Sequence, residues 1–161
     1  MRILIVSDTH KHNENLMDVL DNIGHLDMVI HCGDAEGRED DFREKITCPL
    51  YIVAGNNDYF SDLQKELVFN IGSQRVLLTH GHYYYVSMGT ERLVEEAKVR
   101  GVNIVIYGHT HRPKMEINDG VVVLNPGSLS YPRQNGRIPT YMVVEVDEQG
   151  DFCYTLHHFK A

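Results

Sequence analysis

The sequence has no tryptophan and only three cysteines, Cys32, Cys48 and Cys153. The count is odd, and the spacing is neither C-x-x-C nor the paired framework of a small secreted domain. Structural disulfides are therefore not expected, and the expected setting is a reducing, cytoplasmic one. No apolar run approaches the roughly 18 residues needed to span a bilayer. The opening stretch, Met1-Arg2-Ile3-Leu4-Ile5-Val6-Ser7-Asp8, turns acidic too early for a signal peptide, so no membrane partner is expected. Basic residues are scarce: 15 Lys plus Arg against 23 Asp plus Glu leave a formal net charge of -8. That argues against the phosphate-tracking surface that duplex-binding proteins need, so nucleic acid is not an expected partner. A small anionic substrate stays compatible with it, because bound metal reverses a local field. Repeats, low-complexity tracts and Pro- or Ser-rich linkers are also missing. The chain reads as one domain, residues 1–161, long enough to bury a substantial core.

What is abundant is histidine, at ten residues. Their placement follows the strand pattern. Short apolar, branched runs at 2–6, 28–30 and 50–53 alternate with helical spacing at 13–23 and a weaker polar helix at 39–46. Gly24 ends the first helix. Strand, helix, strand, helix, strand favours parallel strands joined by crossovers. The second half predicts a hairpin at 66–71 and 75–79, then a helix at 90–100 capped by Thr90 and ended by Gly101. A buried strand at 103–107 follows, then hairpins at 114–117/121–124 and 141–146/152–159. About ten strands are too many for one doubly wound sheet. The predicted fold class is α/β (α+β): two stacked mixed β-sheets flanked by helices, an αββα sandwich.

Five of these strands run out into carboxylate, imidazole or carboxamide. The clusters are Asp8-Thr9-His10, Gly33-Asp34, Gly55-Asn56-Asn57-Asp58, His80-Gly81-His82 and Gly108-His109-Thr110-His111. In α/β sheets, ligands bind beyond the carboxyl ends of the strands, so the five clusters are expected to converge. The donors are nitrogen and oxygen with no thiolate, which suits Mn, Fe, Ni or Zn. Asp8 and His10, and likewise His109 and His111, are expected to alternate along extended backbone and so point to one side. Asp8, His10, Asp34, Asn56, His80, His109 and His111 are too many ligands for one ion, and enough for two if a carboxylate bridges.

In this order, Asp-x-His, Gly-Asp, Gly-Asn-x-Asp, His-Gly-His and Gly-His-Thr-His resemble the motifs of the calcineurin-like metallophosphoesterase family. Asn125-Pro126-Gly127-Ser128 resembles its small single-domain bacterial and archaeal phosphodiesterase branch. The resemblance runs from residue 3 to about 146. It implies the stacked sandwich and two divalent ions, manganese first, with iron, nickel and zinc as alternatives. It implies Asp8, His10 and His111 on one ion, Asn56, His80 and His109 on the other, Asp34 bridging, and a bridging hydroxide as nucleophile. The implied activity is hydrolysis of a small phosphate ester, a phosphodiester first. A phosphomonoesterase, or a member serving as a protein-interaction scaffold, is the alternative.

One position departs from the pattern. Asn57 stands where many members carry a histidine that protonates the leaving group, and a carboxamide can only hydrogen-bond. Asn57 is therefore one candidate catalytic residue, with His82 as the substitute acid and His12 as a further one. Arg112, Arg133 and Tyr83 are candidate substrate contacts. The Tyr83-Tyr84-Tyr85 run reads as an aromatic wall, a packed loop or a subunit contact in a homo-oligomer. Asp58 and Asn125–Ser128 are expected to brace the loops, His31 and Cys32 to fill the core, and the acidic run Glu36 to Asp41 to be a solvated face.

Overall fold

The computed structural model describes residues 1–161. In chain order the elements are β1 (Arg2–Val6), α1 (Glu14–Asn22), β2 (Met28–His31), α2 (Glu39–Lys45), β3 (Leu50–Ile52), β4 (Glu66–Ile71) and β5 (Gln74–Thr79). A 3-10 turn at His82–Tyr84 leads to α3 (Glu91–Val99), β6 (Ile104–Ile106), β7 (Pro113–Asn118), β8 (Val121–Pro126), β9 (Thr140–Val146) and β10 (Phe152–His158). The strands form two five-stranded mixed sheets, ordered β10-β9-β1-β2-β3 and β4-β5-β6-β8-β7. The first pairs β1, β2 and β3 in parallel, with β9 antiparallel on the other side of β1. The second pairs β5, β6 and β8 in parallel between antiparallel edges β4 and β7. This is the stacked two-sheet architecture that the strand count predicts.

Side-chain alternation along the strands divides the core into three layers. Ile3 and Ile5 face the second sheet, among Ile30, Val76, Leu78, Ile104, Ile106 and Leu124. Leu4 and Val6 face the other way, under α1 and α2, with Leu16, Val19 and Phe42. Leu77, Val105 and Val123 receive Leu93, Val94 and Ala97 of α3. Strands buried on both faces read as continuous apolar runs, which is why β1, β2 and β6 are legible in the sequence. Each fully buried Leu or Ile contributes about 1.5–3 kcal/mol, so the layers hold the parallel strands with their carboxyl ends at one rim.

Two local expectations differ in detail. Thr90 precedes α3 but makes no capping bond; its hydroxyl donates to Glu116 Oε1 on β7 at 2.8 Å, tying helix to sheet. The backbone at 82–84 is a 3-10 turn between two left-handed residues, Gly81 and Tyr85, with no period for the sequence to show. No helix is long and apolar enough to cross a membrane.

Candidate metal centre

All five polar clusters meet at the rim, but extended alternation does not bring them there. Asp8, His10, Asp34, His109 and His111 all have left-handed backbone, with φ of +56°, +45°, +59°, +69° and +56°. At these five residues the chain leaves extended backbone, so strand alternation does not set where their side chains lie. Asp and His tolerate the left-handed region better than bulkier residues, at a cost of roughly 1–2 kcal/mol each. Such strain concentrates at functional sites. The neighbouring glycines are forced by close approach: a Cβ on Gly55 would collide with Asp34 Oδ1, and one on Gly108 with Ser7 Oγ.

The predicted ligand residues face one another. Asp8 Oδ1 lies 3.3 Å from His111 Nε2, 3.7 Å from His10 Nε2 and 3.8 Å from His80 Nε2. Asp34 Oδ2 lies 3.4 Å from His80 Nε2 and 3.7 Å from His10 Nε2. Asn56 Oδ1 is 2.9 Å from both His80 Nε2 and His109 Nδ1. Two sets, Asp8 with His10 and His111, and Asp8 with Asp34 and His80, have ligand atoms within 4.8 Å of one another.

The polarity of the cluster fits a cation. His80 Nδ1 donates to Cys32 O at 2.7 Å, and His111 Nδ1 to Tyr131 O at 2.7 Å. Those bonds leave each Nε2 as a lone pair, and both lone pairs point at carboxylate oxygens. Asp8 Oδ2 accepts from Ser7 Oγ at 2.6 Å and His109 N at 3.1 Å, while buried Asp8 Oδ1 has no hydrogen-bond partner. A buried, orphaned oxygen beside three imidazoles marks a place for positive charge.

Burial alone would raise the Asp8 carboxyl, yet the imidazoles of His10, His111 and His80 gathered around it hold it well below the usual range. Asp34 is likewise opposed by burial and drawn down to about 2, first by His80 and then by Asn57. Burial lowers His80, but Asp34 and Asp8 outweigh it and push it up to about 8. Burial, then the charges of His80 and His109, brings His82 down to about 4.

The remaining candidates lie around this cluster. Asn57 donates to Asp34 from its backbone N (2.9 Å to Oδ1) and its side-chain Nδ2 (2.8 Å to Oδ2). The His82 ring sits 5.4 Å from that of His80 and 6.0 Å from that of His109, with Nδ1 buried and unpaired. Tyr83 is half exposed, packs 4.0 Å from His82, and carries Lys65 Nζ 4.9 Å over its ring. Arg112 is exposed directly after His111, and Arg133 is exposed on the connection between β8 and β9; the Arg133 backbone N donates to His111 O at 3.0 Å. His12 is exposed, edge-on to Tyr131 at 5.4 Å.

The bracing residues sit as expected. Asp58 Oδ2 accepts from Asp34 N (2.8 Å) and Gly55 N (2.7 Å), fastening the Asp34 and Gly55 loops together. Asn125 Nδ2 donates to Gly108 O at 3.0 Å, and Ser128 Oγ to Asp8 O at 2.8 Å. Cys32 is fully buried. Sequence reasoning missed Ser7, Tyr131 and Glu36. Glu36 is no part of a solvated face: its Oε1 lies 3.3 Å from His10 Nδ1. Its only signal was its place two residues after Asp34.

Burial of His31 predicts an acid-sensitive fold. It is buried, accepts from Gly33 N at 3.1 Å, and its Nε2 lies 3.1 Å from Thr9 Oγ1. Burial depresses it to about 4, against about 6.5 in an unfolded chain. Between those values the unfolded chain binds a proton that the folded chain refuses. Its stabilisation is therefore complete above pH 6.5 and falls with pH, by about 2 kcal/mol at pH 5. Urea midpoints should drop between pH 7 and 5 in the wild type and drop less in His31→Gln; equal drops would remove His31 as the cause.

Comparison with known proteins agrees with this geometry. The family profile described as a calcineurin-like phosphoesterase superfamily domain matches residues 1–149. A probable metallophosphoesterase of Bacillus subtilis is 31% identical over 148 residues, covering 91% of this chain and 85% of that one. A phosphodiesterase of Methanocaldococcus jannaschii is 32% identical over 146 residues, covering 79% and 83%. The crystal structure of a predicted phosphoesterase from Streptococcus pneumoniae superposes with a TM-score of 0.83 at 31% identity, over 98% of this chain and 88% of that one. Vps29 from Entamoeba histolytica, crystallised with zinc, shares the fold alone: TM-score 0.78 at 23% identity, over 99% and 100%. With the profile spanning most of its length, the chain belongs to the calcineurin-like phosphoesterase superfamily.

Proposed function

We propose that the chain, acting as one domain over residues 1–161, is a dinuclear-metal phosphodiesterase that hydrolyses small phosphate esters in the reducing cytoplasm. The observation that carries this reading is the orphaned Asp8 Oδ1, buried where three imidazole nitrogens converge. Asp8, His10 and His111 would hold one divalent ion, Asn56, His80 and His109 the other, and Asp34 both; manganese suits this oxygen and nitrogen set. Bound there, the ions would supply positive charge for the phosphate and a water acidified from 15.7 to about 7, the nucleophile.

The chain's own groups set up the rest. Asn57 holds Asp34 by two hydrogen bonds and so orients the shared carboxylate. Asn57 carries no acidic proton, and His82 is neutral at pH 7, so each offers the leaving oxygen a hydrogen bond and no ready proton. Good leaving groups suit such a site. Half-exposed Tyr83, beside His82, would contact an aryl or base group, and the exposed Arg112 and Arg133 would contact phosphate.

Chelation followed by metal return tests this. Stripped protein should lose activity on bis(p-nitrophenyl) phosphate by about 10³-fold or more, because ions supply several kcal/mol of charge stabilisation at tenfold per 1.36 kcal/mol. Mn²⁺ should restore it, with the diester cleaved faster than p-nitrophenyl phosphate. A faster monoester would make the chain a phosphomonoesterase. No hydrolysis by loaded protein would leave the scaffold reading.

A further inference from the structure

We propose that Glu36 is a positioning residue that makes the His10 half of the centre the tighter of the two ion sites. The proposal rests on the dinuclear reading above. The four histidines of the centre are not oriented alike. His80 and His111 each give Nδ1–H to a backbone carbonyl, and His109 Nδ1 faces Asn56 Oδ1. His10 alone has a carboxylate behind its ring, Glu36 Oε1 at 3.3 Å from Nδ1. Both side chains are largely shielded, at 15% and 20% exposure, so the pairing is not a solvated surface contact.

The carboxylate has two effects. It fixes the N–H on Nδ1 and so leaves Nε2 as the donor atom, 3.7 Å from both Asp8 Oδ1 and Asp34 Oδ2. It also enriches the ring in electron density, which a neutral carbonyl does less. Partners of this kind are typically worth 10–100-fold in metal affinity.

The backbone shows that the pairing is held at a cost. Glu36 has φ +55° and His10 φ +45°, both in the left-handed region where glycine would fit without strain. Glu36 N is clamped by Asp58 Oδ1 at 2.6 Å, the same carboxylate that fastens Asp34 and Gly55, and His10 N donates to Asp34 O at 2.9 Å. A mere turn would be served better by glycine; the glutamate side chain is what the strain preserves.

Calorimetric titration of chelator-stripped protein with Mn²⁺ tests this, using Glu36→Gln and Glu36→Gly. Wild type should take up two ions. Each variant should bind one ion 10–100-fold more weakly and the other unchanged. Metal-free Glu36→Gly should melt no lower than wild type, because the left-handed penalty is gone. Wild-type affinity for both ions in both variants would overturn the role of Glu36 alone, as would a glycine variant whose binding loss merely tracks a lowered melting temperature. A wild-type chain that takes up no ion would overturn the dinuclear reading and this inference together.

Discussion

Asp34→Ala should release both ions and reduce phosphodiester hydrolysis by about 10³-fold or more, the full worth of the metals at tenfold per 1.36 kcal/mol. Asp34 Oδ2 stands between two histidines from opposite halves of the cluster, 3.7 Å from His10 Nε2 and 3.4 Å from His80 Nε2. Without it, two like-charged ions would share a pocket with no carboxylate between them, and Asp8 would be the one carboxylate left among the proposed ligands. The ion-free variant should still fold. The β1, β2 and β6 core does not contain Asp34, and Asp58 binds its backbone N whatever the side chain. Far-ultraviolet circular dichroism together with elemental analysis checks this: native structure, no metal and no turnover are expected. A folded variant that keeps both ions and wild-type turnover would take the bridging role from Asp34.

Asn57→His is the opposite kind of change. It should accelerate cleavage of alkyl phosphodiesters by about 10²-fold, the lower end of the 10²–10⁴ that positioned proton transfer contributes. Aryl diesters should gain little, because a nitrophenolate leaves without a proton. One Asn57 bond to Asp34 survives the substitution, since it comes from the backbone N; the other, from Nδ2, is lost. Parallel assays on methyl and nitrophenyl diesters, with metal content measured beside them, separate the two effects. Equal gains on both esters, or none on the alkyl ester at full metal occupancy, would contradict the view that proton supply limits this site.

The fold was legible where burial imposes one pattern. Ile3-Leu4-Ile5-Val6 is apolar on both faces because β1 is packed on both faces, and the strand bounds follow. The convergence of the seven predicted ligand residues was legible too, because each lies beyond the end of a strand. Its geometry was not. Alternation along extended backbone predicts that Asp8 and His10 point together; they do so through left-handed backbone, which depends on what packs behind it. Thr90 makes no cap for the same kind of reason: its side chain is turned to a partner distant in sequence, donating to Glu116 instead of accepting from the first helical turn. Glu36 was invisible because its meaning lies in a ring 26 residues away, and an acidic run looks the same whether it faces solvent or a histidine. The orphaned oxygen of Asp8 could be seen only once the donors around it had been counted in space.

The account depends on two ions held by one set of side chains. Elemental analysis of wild-type protein loaded with manganese and freed of excess metal measures that directly. Two ions per chain, both lost in Asp34→Ala, is the predicted result. A single ion, or none, in a folded wild-type chain would contradict it.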